Sequence, residues 1–411
     1  MPCELLASRI DGRLWAAVRE RGTTVELRIE PVGDAPRAGR IVKARIGDVV
    51  DGLGAAFADV GAERSGFLHV RDLPRTGGPQ SRLPIRDRLR AGHELLVQVE
   101  REARGGKGPR VTARLTVPGR RLVLVPGVPR RAVSRRIDDS AERSRLCELV
   151  ERLPGQDVGW IARSAAQGVE QDRIAADAER LLAVWAGARE RAAERAAPAT
   201  VLFEPALLEE LLRDAPAAGF ERLVVDHEDD RRRVIAYLSE NDPNALACVA
   251  LHAGRPSLFA ASGVEREIDR VLRPRVWLPS GGYLVIEETE ALVSVDVNSG
   301  KDIGRGHDSE RAIVSTNLEA AREIPRQLRL RGLGGIVVVD LIDMARRESR
   351  EGVVAAFREA LRVDPARTRL LGLNEVGLLA LTRETLRPGL AAQLTRTCAE
   401  CRGAGRVRGQ I

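Results

Sequence analysis

Residues 4–30 alternate loosely between apolar and polar positions around an Ile10-Asp11-Gly12-Arg13 turn, which predicts two or three strands. Residues 39–117 are dense in glycine, valine and short alternating runs, an all-β pattern suited to a small barrel. Helical patterns follow at 140–153 and 170–195, with Arg189 to Pro198 read as an exposed helix end or a linker. Helix and strand then alternate over 205–272: Leu207 to Leu212 predicts a helix, and Arg222 to Asp226 and Val234 to Leu238 predict strands. The alternation continues over 276–390 with stronger strand cores, at Leu284-Val285-Ile286, Leu292 to Val297 and Ile336 to Ile342. Glycine and proline clusters at 72–85 and 117–132 mark loops, and no internal repeat is visible.

Composition narrows the class. A chain of 411 residues suggests two to four compact units. Hydrophobic residues at 44% are enough for real cores, but aromatics at 3% leave those cores to Leu, Val, Ala and Ile. The net charge of +7 favours a polyanionic partner, although 66 basic against 59 acidic residues also simply solvates helix faces. Nearly all the basic residues are arginines; the lysines are Lys43, Lys107 and Lys301. No leader pattern and no run of roughly 18 apolar residues is present, so a soluble, cytoplasmic protein without a transmembrane segment is expected. Cys3, Cys147 and Cys248 are scattered and read as ordinary thiols, whereas Cys398 and Cys401 form a C-x-x-C pair.

Three groups of residues carry candidate chemistry. The apolar strand Leu292-Val293-Ser294-Val295-Asp296-Val297-Asn298 delivers Asp296 and Asn298 into a glycine turn, and Ile336-Val337-Val338-Val339-Asp340-Leu341-Ile342-Asp343 delivers Asp340 and Asp343. Between them Ser315 to Glu319 reads as a helix start leading to Leu328. A carboxylate ending a buried strand is costly unless paired, and two such anions repel unless a divalent cation bridges them. Hard oxygen ligands of this kind suit Mg²⁺ and phosphodiester hydrolysis; surface strand ends or helix caps are the alternative. Thiolates two residues apart, followed by Gly403-Ala404-Gly405, suit Zn²⁺, which wants four ligands. The missing two come from another chain, or the pair is a redox motif, or it is unbound. Phe57 and Phe67, in a strand-rich segment, are either base-stacking residues or core.

A long ordered set of segments resembles the ribonuclease E/G family. It comprises Leu278-Pro279-Ser280-Gly281-Gly282-Tyr283-Leu284-Val285-Ile286-Glu287 through Ser299-Gly300, Thr316-Asn317-Leu318-Glu319-Ala320-Ala321, Gln327-Leu328-Arg329-Leu330-Arg331, and Gly334-Gly335 through Asp340 with Asp343-Met344. The Gly300-Lys301 continuation resembles the ribonuclease G branch. The resemblance implies an α+β multidomain chain. Its RNase H-like domain (1–38 and 201–275) carries an inserted S1/OB β-barrel (39–117) and a 5′-sensor region (118–200). A DNase I-like catalytic α/β domain (276–395) and a C-terminal zinc knuckle (396–411) follow. It implies Asp296 and Asp340 as Mg²⁺ ligands, with Asn298 assisting at the scissile phosphate. Phe57, Phe67 and Lys107 become RNA contacts. Val133, Arg163 and Ser164 become the 5′-phosphate sensor, Val133 through its backbone and Ser164 in place of a commoner threonine. Cys398 and Cys401 become half of a zinc site shared between two protomers.

The function so implied is a Mg²⁺-dependent endoribonuclease that cuts single-stranded RNA in RNA processing or decay and is stimulated by a 5′-monophosphate. The competing reading is a catalytically inactive S1-type RNA-binding protein, against which the retained Asp296, Asn298 and Asp340 argue. A phosphoesterase acting on DNA or small molecules is disfavoured by the barrel and sensor segments. The acidic run Asp226, Glu228, Asp229 and Asp230 reads as a solvated loop. The sequence stops about ten residues past Cys401, so the expectation is a short form without the small C-terminal domain and without a scaffold for a large degradative complex. A homodimer would then rest on zinc.

Overall fold

The computed structural model describes residues 3–30, 36–74, 83–103, 107–216, 218–300 and 307–401, with 403, 405 and 407. Lys301, the glycines before Lys107, and Arg402 and Ala404 of the cysteine knuckle lie outside the described residues.

Strands β1 (Cys3–Ile10), β2 (Arg13–Glu20) and β3 (Thr23–Ile29) open the chain. Both connecting turns need positive φ at two successive residues, Asp11-Gly12 and Arg21-Gly22, which is the two-residue hairpin geometry. The barrel consists of β4 (Ile41–Val50), β5 (Ala55–Asp59), β6 (Gly66–His69), the short α1 (Ile85–Arg88), β7 (Glu94–Arg101) and β8 (Arg110–Thr112). Its order is β4-β5-β6-β8-β7, closed by β7 pairing back onto β4. Val42, Ala44, Ala56, Ala58, Leu68, Val97 and Val111 fill the interior, so small aliphatic residues do what aromatics do elsewhere.

Strands β9 (Val117–Pro118), β10 (Leu122–Pro126) and β11 (Arg131–Val133), helix α2 (Ser140–Arg152), strand β12 (Val158–Ala162) and helix α3 (Gln171–Glu194) come next. The strands form a sheet in the order β11-β12-β10-β9 around buried Trp160. The 117–132 segment expected as loop is therefore largely strand. The chain then returns to the barrel through β13 (Ala199–Leu202), which pairs with β4. Helix α4 (Leu207–Arg213), strand β14 (Arg222–Val225), helix α5 (Glu228–Asn241) and strand β15 (Val249–Leu251) follow, and a five-stranded sheet has the order β15-β14-β1-β2-β3.

Two expectations fail on α5. Val234 to Leu238 is helical, and Glu228, Asp229 and Asp230 of the acidic run form the helix's first turn, where carboxylates suit the exposed N–H groups. Asp230 is not solvated: it is 1% exposed and receives Arg9 in a two-pronged ion pair at 2.7 and 2.8 Å.

Short helices α6 (Leu258–Ser262) and α7 (Val264–Val271) precede the last sheet. That sheet contains β16 (Arg275–Trp277), β17 (Tyr283–Glu288), β18 (Leu292–Asn298), β19 (Gly335–Asp340), β20 (Thr368–Leu373) and β21 (Leu378–Arg383), in the order β16-β17-β18-β19-β21-β20. Helix α8 (His307–Arg331) crosses between β18 and β19, α9 (Arg347–Leu361) follows β19, and α10 (Leu390–Leu394) ends the regular structure. Helix α8 begins before the expected start at Ser315. Its Ala320, Ala321, Ile324 and Leu328 pack with Val353 and Phe357 of α9 against the inward valines and leucines of the sheet.

The chain divides into two compact units, one of residues 1–5, 9–14 and 29–252 and the other of 6–8, 15–28 and 253–411. No helix among the described residues is long and apolar enough to cross a membrane.

Candidate active site and RNA-contact surfaces

Alternation decides where the two aspartates point. On β18, Val293, Val295 and Val297 are buried in the core, so Ser294, Asp296 and Asn298 face the other way. On β19, Val337 and Val339 are fully buried, so Val338 and Asp340 share that outward face. The two strands are parallel and in register, with Asp296 directly opposite Asp340. Neighbouring strands lie about 4.8 Å apart, so the two carboxylates stand side by side. Both are exposed, which corrects the premise that they end buried strands: the helices cover the opposite face. Asn298 donates from Nδ2 to Asp296 Oδ2 at 2.7 Å. Among the described residues no three His, Cys, Asp or Glu side chains converge, so Asp343 does not join the pair.

The surroundings of the pair are tightly specified. A Cβ on Gly282 would lie 2.7 Å from the Asn298 carbonyl oxygen and 2.8 Å from Thr316 Cγ2, so the loop before β17 approaches β18 as closely as only glycine permits. The Ser280 N–H donates to Glu319 at 3.0 Å. Asn317, 0% exposed, donates from Nδ2 to the Ile342 carbonyl at 2.8 Å and accepts from the Ile342 N–H at 3.2 Å. It thus grips the backbone two residues beyond Asp340. Glu310 accepts from the Ala345 and Arg346 amides at 3.3 and 3.4 Å. Sequence reasoning passed over Asn317. The signal was there: Asn317 falls on the apolar stripe Ile313, Ala320, Ala321, Ile324, Leu328, and a polar side chain on a core-facing stripe needs a partner.

On the barrel, Ala56, Ala58 and Leu68 point inward, which turns Phe57 and Phe67 outward. They sit opposite each other across β5 and β6, with ring centroids 5.9 Å apart in an edge-to-face arrangement. With Arg64, Ser65, Lys107, Gly108 and Arg110 they line an open groove of about 540 Å³. The structure therefore brings Phe57, Phe67 and Lys107 together. Arg110 is held by Asp72 and Glu100, each at 2.9 Å.

Val133 pairs with Ala162 at the ends of the parallel strands β11 and β12, next to Arg163 and Ser164. Arg163 donates to the Gly119 carbonyl at 2.6 Å and to Asp214 at 2.7 Å. A guanidinium has five N–H donors, so these two bonds orient it without exhausting it. Burial pushes the Asp214 carboxyl up, but Arg213 and Arg163 more than offset this and hold it down to about 2. Arg143 donates to the carbonyls of Ser134 and Val133, at 2.9 and 3.5 Å. Neither Asp214 nor Arg143 was singled out from the sequence.

Cys398 is exposed and Cys401 half-buried. The amide N–H groups of Cys401 and Glu400 donate toward the Cys398 sulfur and, with the Cys401 thiol, lower its pKa. Gly403 and Gly405 both take positive φ.

Comparison with known proteins gives consistent results. The model of the ribonuclease E/G family matches residues 116–386. The chain is 36% identical to ribonuclease G of Escherichia coli (strain K12), over 99% of this chain and 85% of that protein. It is 34% identical to ribonuclease G of Haemophilus influenzae, over 98% of this chain and 84% of that protein. It is 37% identical to ribonuclease E of Haemophilus influenzae over 93% of this chain, but over 42% of that longer protein.

Proposed function

This chain belongs to the ribonuclease E/G family, and from that premise we propose that its Asp296–Asp340 centre cuts single-stranded RNA with the help of Mg²⁺. The chain is an endoribonuclease, as its ribonuclease G and ribonuclease E relatives indicate. The observation that carries the site assignment is the register of β18 and β19, which sets Asp296 and Asp340 opposite each other on the exposed face.

The residues fit the ion. Mg²⁺ takes hard oxygen ligands and commonly uses one or two carboxylates plus waters, and two adjacent exposed aspartates provide that. When bound, Mg²⁺ supplies charge neutralisation at the phosphate oxygens and a more acidic water. Asp296 and Asp340 hold it. Asn298 spends one N–H on Asp296 and has a second to donate to a non-bridging oxygen of the scissile phosphate. Hydrolysis forms a bond from a water oxygen to phosphorus and breaks the P–O3′ bond; the departing O3′ takes a proton. The products are a 5′-phosphate and a 3′-hydroxyl.

The other parts read in the same frame. The closed barrel is S1-like, and its Phe57–Phe67–Lys107 groove holds unpaired bases and phosphate. Val133, Arg163 and Ser164 read a 5′-monophosphate, Arg163 being held in place by Asp214 and Gly119. The sheet order β15-β14-β1-β2-β3 supports an RNase H-like assignment for 1–38 with 201–275. The last mixed sheet, with α8 and α9 on one face, supports a DNase I-like domain over 276–395. Cys398 and Cys401 bind one Zn²⁺ jointly with the same pair of a second copy, giving a homodimer. We place the enzyme in the cytoplasm.

The test is cleavage of a 5′-monophosphorylated, fluorescently labelled single-stranded RNA, with Mg²⁺ and then with chelator, by the parent, Asp296→Asn and Asp340→Asn. Cleavage should require Mg²⁺ and vanish in both variants while RNA binding persists. Unchanged cleavage by both variants would remove the assignment.

A further inference from the structure

On the face that carries the carboxylate pair, the strand register groups three further side chains. Trp277 lies opposite Tyr283, and Tyr283 opposite Asn298; Arg275 lies opposite Val285, and Val285 opposite Asp296. Val276, Leu284 and Ile286 of the same strands pack in or against the core, so Arg275, Trp277 and Tyr283 all point outward beside the active centre. With strands about 4.8 Å apart, Tyr283 is one strand and Trp277 two strands from Asn298.

Trp277 is unlike the other tryptophans. Trp15 and Trp160 are 8% and 0% exposed and Trp185 is half-buried, whereas Trp277 is 64% exposed. An exposed indole in a chain this poor in aromatics is not filling a core. Nor is it loose. Its ring centroid is 5.4 Å from that of Tyr283, at 60°. The Arg275 guanidinium lies 4.4 Å from the Tyr283 ring centre and 5.8 Å from that of Trp277. Among the described residues the Arg275 side chain makes these ring contacts and no ion pair or hydrogen bond, so its guanidinium N–H donors are available to an anion.

We propose that Arg275, Trp277 and Tyr283 form a nucleotide subsite that stacks the base next to the scissile linkage and contacts the adjoining phosphate. Aromatic faces bind any unpaired base and guanidinium binds phosphate oxygens. Asn298 and Asp296, one strand over, fix where the scissile phosphate lies. The subsite therefore demands an unstacked nucleotide at the cut, which a duplex cannot offer without unpairing. The inference rests on the catalytic role of Asp296 and Asp340.

The test is a cycle between protein ring and RNA base. The parent's cleavage position is mapped on a single-stranded RNA, and abasic nucleotides are placed on either side of it. The parent should lose about tenfold in kcat/KM with one of the two, as loss of one stacked base implies. Trp277→Ala and Tyr283→Ala should lose about tenfold on intact RNA yet suffer little further from the same abasic position, while Trp277→Phe should restore most of the rate. Thermal unfolding matching the parent excludes misfolding. A parent indifferent to both abasic positions overturns the subsite, as do alanine variants that keep the parent's rate or its full abasic penalty. Asp296→Asn is run beside them: if it too keeps full activity, the catalytic centre itself is misplaced, and if it is dead while the ring variants are unaffected, the subsite alone fails.

Discussion

Replacing Asn317 by alanine tests whether the helix beneath the sheet sets the geometry of the segment that follows Asp340, the proposed metal ligand. The side chain is fully buried and hydrogen-bonds both backbone groups of Ile342, donating to its carbonyl at 2.8 Å and accepting from its N–H at 3.2 Å. Its loss leaves one donor and one acceptor unpaired, each costing about 1–3 kcal/mol where water cannot reach. Ile342 is half-buried, which favours the lower end, so a destabilisation of about 2–4 kcal/mol is expected. The effect on catalysis is separable. Ile342 follows Asp340 by two residues, and a shift of about 1 Å in a catalytic group costs about 100-fold in rate. Urea unfolding gives the first quantity. Single-turnover cleavage, measured across a Mg²⁺ titration at a temperature where the variant is fully folded, gives the second. The expected variant is less stable and needs more Mg²⁺ for a lower maximal rate. A variant that is destabilised but cleaves like the parent at every Mg²⁺ concentration would refute the reasoning, because Asn317 would then merely fasten helix to loop.

Four other outcomes follow from the surfaces described. Phe57→Ala and Phe67→Ala should each weaken single-stranded RNA binding about tenfold by fluorescence anisotropy; unchanged affinity in both would return these rings to a structural role. Arg163→Lys should abolish the rate advantage of a 5′-monophosphate over a 5′-hydroxyl while leaving cleavage of the 5′-hydroxyl RNA intact, since lysine cannot reproduce the guanidinium fork. The depressed Asp214 carboxyl favours the folded state, fully so above its ordinary value of 3.8, and this share is lost as pH falls through about 2. The stability deficit of Asp214→Asn in urea should accordingly be largest at neutral pH and shrink below pH 4; a deficit independent of pH would show that charge is not its cause. Cys398→Ser should lose bound zinc by metal analysis and elute as a monomer, and a dimer that survives would contradict the shared link.

Much of this was legible in the residue pattern, and what was not has identifiable causes. The runs at 284–286, 292–297 and 336–340 are strands because β-branched residues repeat there, and the barrel announced itself through short alternating runs. Helix α5 was misread because Val234 to Leu238 is apolar in isolation; its helical character lies in the acidic first turn upstream. The aspartate pair was named by resemblance, but its geometry could not be, because Asp296 and Asp340 are 44 positions apart and register is a tertiary property. A slip of one residue between β18 and β19 would reverse the parity of β19 and drive Asp340 toward the valine core, where an unpaired carboxylate is prohibitively costly. Val293, Val295 and Val297 against Val337 and Val339 exclude that slip, since each must be buried on the helix side. The same burial forces Tyr283, Asn298 and Asp296 outward on neighbouring strands. Core packing therefore does more here than stabilise: the valines that fill the space under α8 and α9 are what hold two carboxylates opposite each other on the exposed face.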